Sequence, residues 1–205
     1  VLLGVVRGSG IWWGIAWILK PQLMFIGLLL VWKRQWRTVG VASLTLLSAV
    51  IIAGVLFGWH WYGQYFSREL TILMEFRDRE IYYNQGIESF VSRVNAKWLS
   101  IPFKLIAMMV AIFSLRKQNF IHALPMSLAL LLLLLPLSWQ HHFVLLIPAF
   151  VFLWYRANKR RLLLVLALLL VGSNFREPPP WVLSHVFIGN VLVFLLLSSI
   201  HLSRT

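Results

Sequence analysis

The sequence predicts an all-α protein, a polytopic transmembrane helix bundle of six spans preceded by a broken N-terminal helix pair. Of its 205 residues 60% are hydrophobic, and the mean hydropathy is +0.80. Apolar runs recur along the whole chain, which the surface of a soluble domain would not tolerate. Because the first residues already lie in an apolar run that no methionine precedes, we expect a single transmembrane domain over residues 1–205 that forms the C-terminal part of a longer protein.

The distribution of charge indicates how the spans are oriented. Short basic clusters follow apolar runs, whereas the acidic residues lie in the intervening loops. Cytoplasmic loops of membrane proteins collect Lys and Arg, so the net charge of +13 predicts the lipid bilayer, and no nucleic acid, as partner. Cysteine is absent, which excludes disulfides and thiolate metal sites in this chain. The basic clusters are Lys33-Arg34-Arg37, Arg116-Lys117 and Arg156-Lys159-Arg160-Arg161, and the acids are Glu69, Glu75, Asp78, Glu80, Glu88 and Glu177.

The first apolar segment is interrupted. Residues 10–19 and 23–32 are each half a span, and Lys20-Pro21-Gln22 separates them. Proline breaks or kinks a helix, and a broken helix at membrane depth is tolerated where its backbone lines a cavity or packs in protein. These features favour a hairpin of two half-helices with Lys20 at its tip, and a single kinked span is the alternative.

Six further apolar runs predict spans that alternate in direction and bring every basic cluster to the cytoplasmic side. The last span then leaves the C-terminus, near Arg204, in the cytoplasm. Two of the runs are shorter than the roughly 20 residues that a perpendicular span needs, so they must borrow flanking residues or form a short hairpin. The predicted spans are residues 38–58, 99–115, 120–137, 143–155, 162–173 and 185–202.

The outer loop over residues 59–98 is too long for a simple connector and predicts a small folded element with short interfacial helices. It opens with aromatic residues, Trp59 to Tyr62, that suit a membrane interface. In its second half apolar residues recur at helical spacing, so we expect Asn84 to cap a short amphipathic helix on the outer leaflet. The last outer loop holds three prolines at 178–180, which predict an extended polyproline segment.

The segment Ser138-Trp139-Gln140-His141-His142 is the most unusual polar stretch. Leucine-rich runs flank it, and the charge rule places it at the outer membrane boundary, where histidine can titrate near neutral pH and bond an anionic group. Neighbouring helical residues diverge by about 100°, so we expect one histidine to face a ligand and the other to cap or pack. No haem or zinc pattern is evident, and the isolated histidines are expected at the interface or in the core, namely His60, His122, His185 and His201.

Three segments, in this order, resemble the polyprenol-phosphate-mannose-dependent membrane glycosyltransferases of family 87, within the C-type superfamily. They are GIAWILKPQLMFIGLLLVWKRQWR in the broken helix pair, NQGIESFVSRV in the outer loop, and LSWQHHFVLLIP at the start of a later helix. Together they cover nearly the whole chain. The chain departs from the family pattern at Gly86, where the family usually has serine.

The resemblance implies an enzyme, a hexosyltransferase that moves a sugar, here mannose, from a polyprenyl-phosphate carrier to an acceptor hydroxyl with inversion. The reaction would take place on the outer face of the bacterial inner membrane, with a glycolipid or polysaccharide acceptor. It needs a base for the acceptor and cations or donors for the leaving phosphate. In the superfamily the base is typically an aspartate in the first outer loop, which we expect upstream of this chain. Neither a cofactor nor a metal site is predicted here.

The remaining polar residues suit the leaving-group side of such a site. Lys20 would hold the carrier phosphate, or else extend to the interface. One of the two adjacent histidines would meet the phosphate or the sugar. The predicted substrate-binding residues are Lys20, Asn84, Gln85, Arg93, His141 and His142.

Two of these assignments have alternatives in the sequence. Asn84 and Gln85 would bond sugar hydroxyls or hold the loop, with neither favoured. Arg93 would bind phosphate or pair with Glu88 or a nearby acid, and the pairing is slightly favoured.

A transporter or channel subunit is the competing interpretation, since broken helices with an intramembrane lysine also build midplane transport sites. Inverted repeats would support it, but the two halves of the sequence show no self-similarity, and the polar residues gather at the outer boundary. A multi-span lipid-carrier ligase or polymerase would share the polyprenyl substrate, but it would not predict the Lys-Pro, Asn-Gln and His-His series.

Overall fold

Helices make up the regular structure of the described chain, which confirms the all-α prediction. The computed structural model describes residues 9–75, 84–156, 160–173 and 182–202. Contacts divide the chain into two compact units, Val1–Arg77 and Asp78–Thr205. The division falls inside the loop predicted over residues 59–98, part of which lies outside the described residues. The polyproline segment and the C-terminus near Arg204 also lie outside them.

The first unit consists of a broken helix pair, one long helix and a short helical segment. A 3-10 turn at Pro21–Leu23 follows Lys20, so the predicted break is confirmed. A π-helical turn at Tyr65–Glu69 separates the last two helices. The helices are α1 (Gly10–Leu19), α2 (Met24–Trp32), α3 (Trp36–Phe57), α4 (His60–Gln64) and α5 (Leu70–Glu75).

Helices α1 and α2 form a hairpin. Gly10 lies against Val41, and Gly14 lies against Thr45, so α1 and α3 run in the same direction. One straight span over residues 10–32 would hold its ends about 33 Å apart. The chain between Trp32 and Val41 reaches at most about 22 Å, so a straight span is excluded and the chain bends sharply after Lys20. Gly27 also lies against the ring of Trp17, which favours the hairpin, with Lys20 at its turn, over a single kinked span.

Close contact between α1 and α3 depends on two glycines spaced four residues apart. A Cβ atom at Gly10 would lie 2.7 Å from the carbonyl oxygen of Thr38, and one at Gly14 would lie 2.8 Å from that of Ala42. Only glycine allows two helix backbones to approach this closely. This Gly-x-x-x-Gly pattern is typical of tightly packed helices in membranes, and it was not among the features predicted from the sequence.

The described part of the second unit has five helices and a short sixth, and two of these, α8 and α11, are largely buried. The last helix contacts four others, α7, α8, α9 and α10. Asn190, which is fully buried in it, donates to the carbonyl of Ala129 in α8 at 3.2 Å. The helices are α6 (Ile87–Arg93), α7 (Ser100–Leu115), α8 (Phe120–Leu134), α9 (Ile147–Arg156), α10 (Arg161–Gly172) and α11 (His185–Leu202), with 3-10 turns at Lys97–Leu99, Gln140–Leu146 and Val182–Ser184.

Three helical segments in the described ranges are long and apolar enough to cross a membrane: Trp36–Phe57, Lys97–Leu115 and Val182–Ile200. The spans predicted over residues 120–137, 143–155 and 162–173 are helices of 15, 10 and 12 residues. Six full spans are therefore not formed. Extended chain and a 3-10 turn between α8 and α9 use up residues that the sequence pattern assigned to the spans.

The short helix α6 is formed, but its environment differs from the prediction. Ile87 and Val91 are buried, and so are Ser89 and Ser92 on its other sides. The helix therefore packs within the second unit and does not present one face to an outer leaflet. Its N-cap is Gly86, so the prediction that Asn84 caps it is wrong. The Asn84 side chain has other partners.

Candidate functional site

The Asn84 side chain clamps the loop that follows α8. Its Nδ2 group donates to the carbonyl of Pro136 at 2.9 Å, and its Oδ1 atom accepts from the main-chain N–H of Ser138 at 2.9 Å. The backbone of Asn84 also forms an antiparallel bridge with Trp139. Asn84 is buried, with 2% of its surface exposed. Its side-chain amide provides hydrogen-bond partners for main-chain groups of the loop, which has no regular structure to satisfy them.

Gln85 replaces a helical hydrogen bond in α11. Its Nε2 group donates to the carbonyl of Leu183 at 2.7 Å, and its Oε1 atom accepts from the N–H of Phe187 at 3.1 Å. These two main-chain groups are four residues apart and would bond each other in a regular α-helix. The amide is thus inserted into the first turn of α11, where N–H groups need outside acceptors. Gln85 is fully buried.

Arg93 links the same two regions. Its Nε group donates to Ser184 Oγ at 3.0 Å, and its Nη1 group donates to the carbonyl of Asn84 at 2.8 Å. Burial lowers the pKa of the Arg93 guanidinium to about 10, so it stays charged at neutral pH. The carboxylate of Glu88 accepts from Lys104 at 3.1 Å. We name the set Asn84, Gln85 and Arg93 the amide clamp.

Gly86 is required by a close backbone approach. A Cβ atom there would lie 2.6 Å from the carbonyl oxygen of Leu135 and 3.6 Å from the Cβ of Ser138. The backbone of Gly86 is extended, with φ at −84° and ψ at 173°, so the need for glycine is steric. The family that the sequence resembles usually has serine here. Glycine in its place fits the close approach of the clamped loop to this position.

The amide clamp holds the segment that carries the two adjacent histidines. The N–H of Gln85 donates to the carbonyl of Ser138 at 2.8 Å, directly before Trp139. The rings of Trp139 and His141 meet edge to face at 5.6 Å, and those of His141 and His142 at 4.3 Å. His141 is exposed, whereas His142 is half-buried. The two histidines therefore differ in exposure, and the prediction that one of them faces a ligand stays a prediction.

A second junction joins the ends of α10 and α11 to the histidine segment. The carbonyl oxygen of Ser173 lies 3.0 Å from Gln140 Nε2 and 3.0 Å from His185 Nε2. The other ring nitrogen of His185 lies 2.7 Å from the carbonyl of Val182. His185 is a buried core residue, in line with its prediction. Ser173 acts through its main chain, for which the sequence gives no signal.

Five of the six predicted site residues belong to one unit. Asn84, Gln85 and Arg93 form the amide clamp, and the histidine pair follows the loop that the clamp holds. Lys20 lies half-buried at the turn of the hairpin in the first unit. Among the described residues no group of His, Asp and Glu side chains is arranged to hold a metal ion.

The amides of Asn84 and Gln85 are bonded to main-chain groups, which is the loop-holding role. Their contact with sugar hydroxyls stays a prediction. Comparisons with protein-family models, with curated proteins and with solved structures gave no match. The likeness to family 87 glycosyltransferases therefore rests on the three sequence segments.

Proposed function

We propose that this chain is part of a membrane glycosyltransferase that moves a hexose, mannose by preference, from a polyprenyl-phosphate carrier to an acceptor hydroxyl. The observation that carries the proposal is the exposed imidazole of His141, presented beside Trp139 at the end of an apolar helix bundle. In the proposed arrangement this end faces outward, the bilayer holds the polyprenyl chain, and the acceptor is a glycolipid or a polysaccharide.

The residues divide into binding and positioning roles. An imidazole can donate a hydrogen bond to a phosphate oxygen as negative charge develops on the leaving group. Trp139 supplies an aromatic face of the kind that packs against sugars and prenyl chains. The amide clamp does not touch the substrate in this proposal. It fixes the loop on which Trp139 and His141 lie, and preorganised donors stabilise charge better than mobile ones.

The direct test is transfer of radiolabelled mannose from polyprenyl-phosphomannose into lipid by membranes that contain the protein. Product formation supports the proposal. Absence of transfer, together with solute flux into vesicles that contain the protein, would instead support a transporter or channel subunit.

The two histidines are expected to have unequal effects on transfer. His141→Ala removes the exposed donor and should lower the rate about a hundredfold, as loss of one transition-state donor does. His142→Ala should affect the rate less and thermal stability more, because its ring is half-buried. Initial rates and melting temperatures of both variants decide this, with His60→Ala, an exposed histidine of the first unit, as control. Equal and mild losses of rate would contradict a binding role for His141.

Lys20 tests the phosphate side of the proposal. Lys20→Met should raise the KM for the phosphate-linked donor about tenfold or more, since a hydrogen bond to a charged group contributes about 1.5–3 kcal/mol. Lys20→Arg keeps the charge and should retain most of the affinity. Donor kinetics at fixed acceptor concentration provide the measurement. Unchanged donor KM in Lys20→Met would contradict a donor-binding role for Lys20.

A further inference from the structure

Three arginines lie together at the end of the second unit that is remote from the amide clamp. Arg156 ends α9, Arg160 precedes α10, and Arg161 begins it. The start of α8 and the last turns of α11 meet them there, through His122 and Ser199. We name Arg156, Arg160 and Arg161 the basic rim. Four helices thus contribute to a single charged edge.

Each guanidinium of the basic rim contacts a neutral side chain. Arg156 Nη2 lies 3.0 Å from His122 Nε2, and its guanidinium lies 4.6 Å from the ring centre of Phe152. Arg160 donates to Ser199 Oγ. Arg161 lies 5.6 Å from the ring centre of Trp154. Such contacts orient a guanidinium.

The sequence supplies no acidic side chain to the helices around the rim. No Asp or Glu occurs at positions 89–176, and none follows Glu177. The connection between α7 and α8 lies at the same end of the unit as the basic rim, because α8 begins there, close to His122. This connection adds Arg116 and Lys117. Positive charge therefore accumulates at this edge of the unit.

Exposed apolar side chains lie next to the basic rim. Leu162, next to Arg161, has 82% of its surface exposed, and Trp154 has 50%. A surface that is cationic at its edge and apolar immediately beside it matches an anionic phospholipid, with its phosphate above and its acyl chains below.

We propose that the basic rim binds the phosphate group of an anionic phospholipid, such as phosphatidylglycerol, whose acyl chains lie along α9 and α10. Positive charge that only orients the spans requires no fixed geometry, because any Lys or Arg in the loop suffices. The rim differs because its guanidiniums are held in place by partners on neighbouring helices. A planar guanidinium binds phosphate oxygens through paired N–H groups. The site is independent of the proposed transfer reaction.

Native mass spectrometry of the full chain, titrated with phosphatidylglycerol or with phosphatidylcholine of the same acyl chains, tests the proposal. Wild type should bind phosphatidylglycerol preferentially. The triple variant Arg156→Gln, Arg160→Gln, Arg161→Gln should bind it about a hundredfold more weakly, at about fivefold per charge. The triple variant Lys33→Gln, Arg34→Gln, Arg37→Gln removes the same charge from the first unit and should keep the preference.

Three results would overturn the proposal. These are equal affinity of wild type for the two lipids, unchanged affinity of the rim variant, and full competition by inorganic phosphate at the lipid concentration, which would indicate a free-anion site. If the rim variant fails to fold, the exposed Arg161→Gln alone provides the comparison and should weaken binding about fivefold. Loss of sugar transfer in the proposed enzyme would leave these lipid affinities unchanged, so the two proposals fail separately.

Discussion

Gln85→Leu should lower the free energy of unfolding of the second unit by about 2–6 kcal/mol. Leucine has a similar size but can neither donate to the carbonyl of Leu183 nor accept from the N–H of Phe187. Each buried main-chain group left without a partner costs about 1–3 kcal/mol. Denaturant or thermal unfolding in detergent micelles measures the change. A loss below about 1 kcal/mol would mean that α11 restores its own hydrogen bond and that the inserted amide contributes little.

Gln85→Glu is the matched control, because a protonated glutamic acid has nearly the shape and the hydrogen bonds of glutamine. Burial raises the pKa of a carboxyl group, so the folded variant should hold its proton to a higher pH than the unfolded chain does. Its stability should therefore be greatest below the pKa of the unfolded chain, about 4.3, and fall as the pH rises through the folded pKa. Gln85→Leu should show no such pH dependence relative to wild type.

Gly86→Ser should destabilise the second unit by about 3 kcal/mol, at the upper end of the usual range for overpacking. The added Cβ would lie 2.6 Å from the carbonyl oxygen of Leu135. That carbonyl cannot retreat easily, because Asn84 holds the next residues through two hydrogen bonds. The melting temperature and, in the proposed enzyme, the rate of transfer should both fall. The rate falls because the clamped loop carries His141.

Gly172→Ser provides the comparison within the same unit, since a Cβ atom there meets nothing within 4 Å. It should change the melting temperature little. If Gly86→Ser proves as stable as wild type, the loop after α8 must be able to move away from α6. The amide clamp would then be looser than its hydrogen bonds indicate.

Sequence patterns predicted the parts of the fold that depend on local chemistry. Lys20-Pro21 marked the helix break, because proline cannot continue the hydrogen-bond ladder. The hairpin itself could not be decided in this way, since it depends on Gly10 and Gly14 packing against a different helix. Helix lengths were overestimated around residues 135–146 because apolar side chains continue there after the helix has ended.

The sequence predicted which residue types form the candidate site, but it did not predict all of their roles. Asn84, Gln85 and His141 were selected because polar groups at an apolar boundary need an explanation. The partners of both amides proved to be main-chain groups such as the carbonyl of Leu183. Every residue carries such groups, so the sequence cannot indicate which of them a side chain will reach.

The inserted amide of Gln85 also bears on the order in which the protein assembles. Gln85, which accepts from the N–H of Phe187, lies 102 positions earlier in the chain. The two residues therefore form a contact of high sequence separation. Forming such a contact requires the chain between the two residues to be gathered first. During synthesis, α11 emerges after the other helices of the second unit and meets a template that is already in place. Completion of its first turn should therefore be a late step that closes the unit, and truncation before α11 should leave the Gln85 amide without these partners.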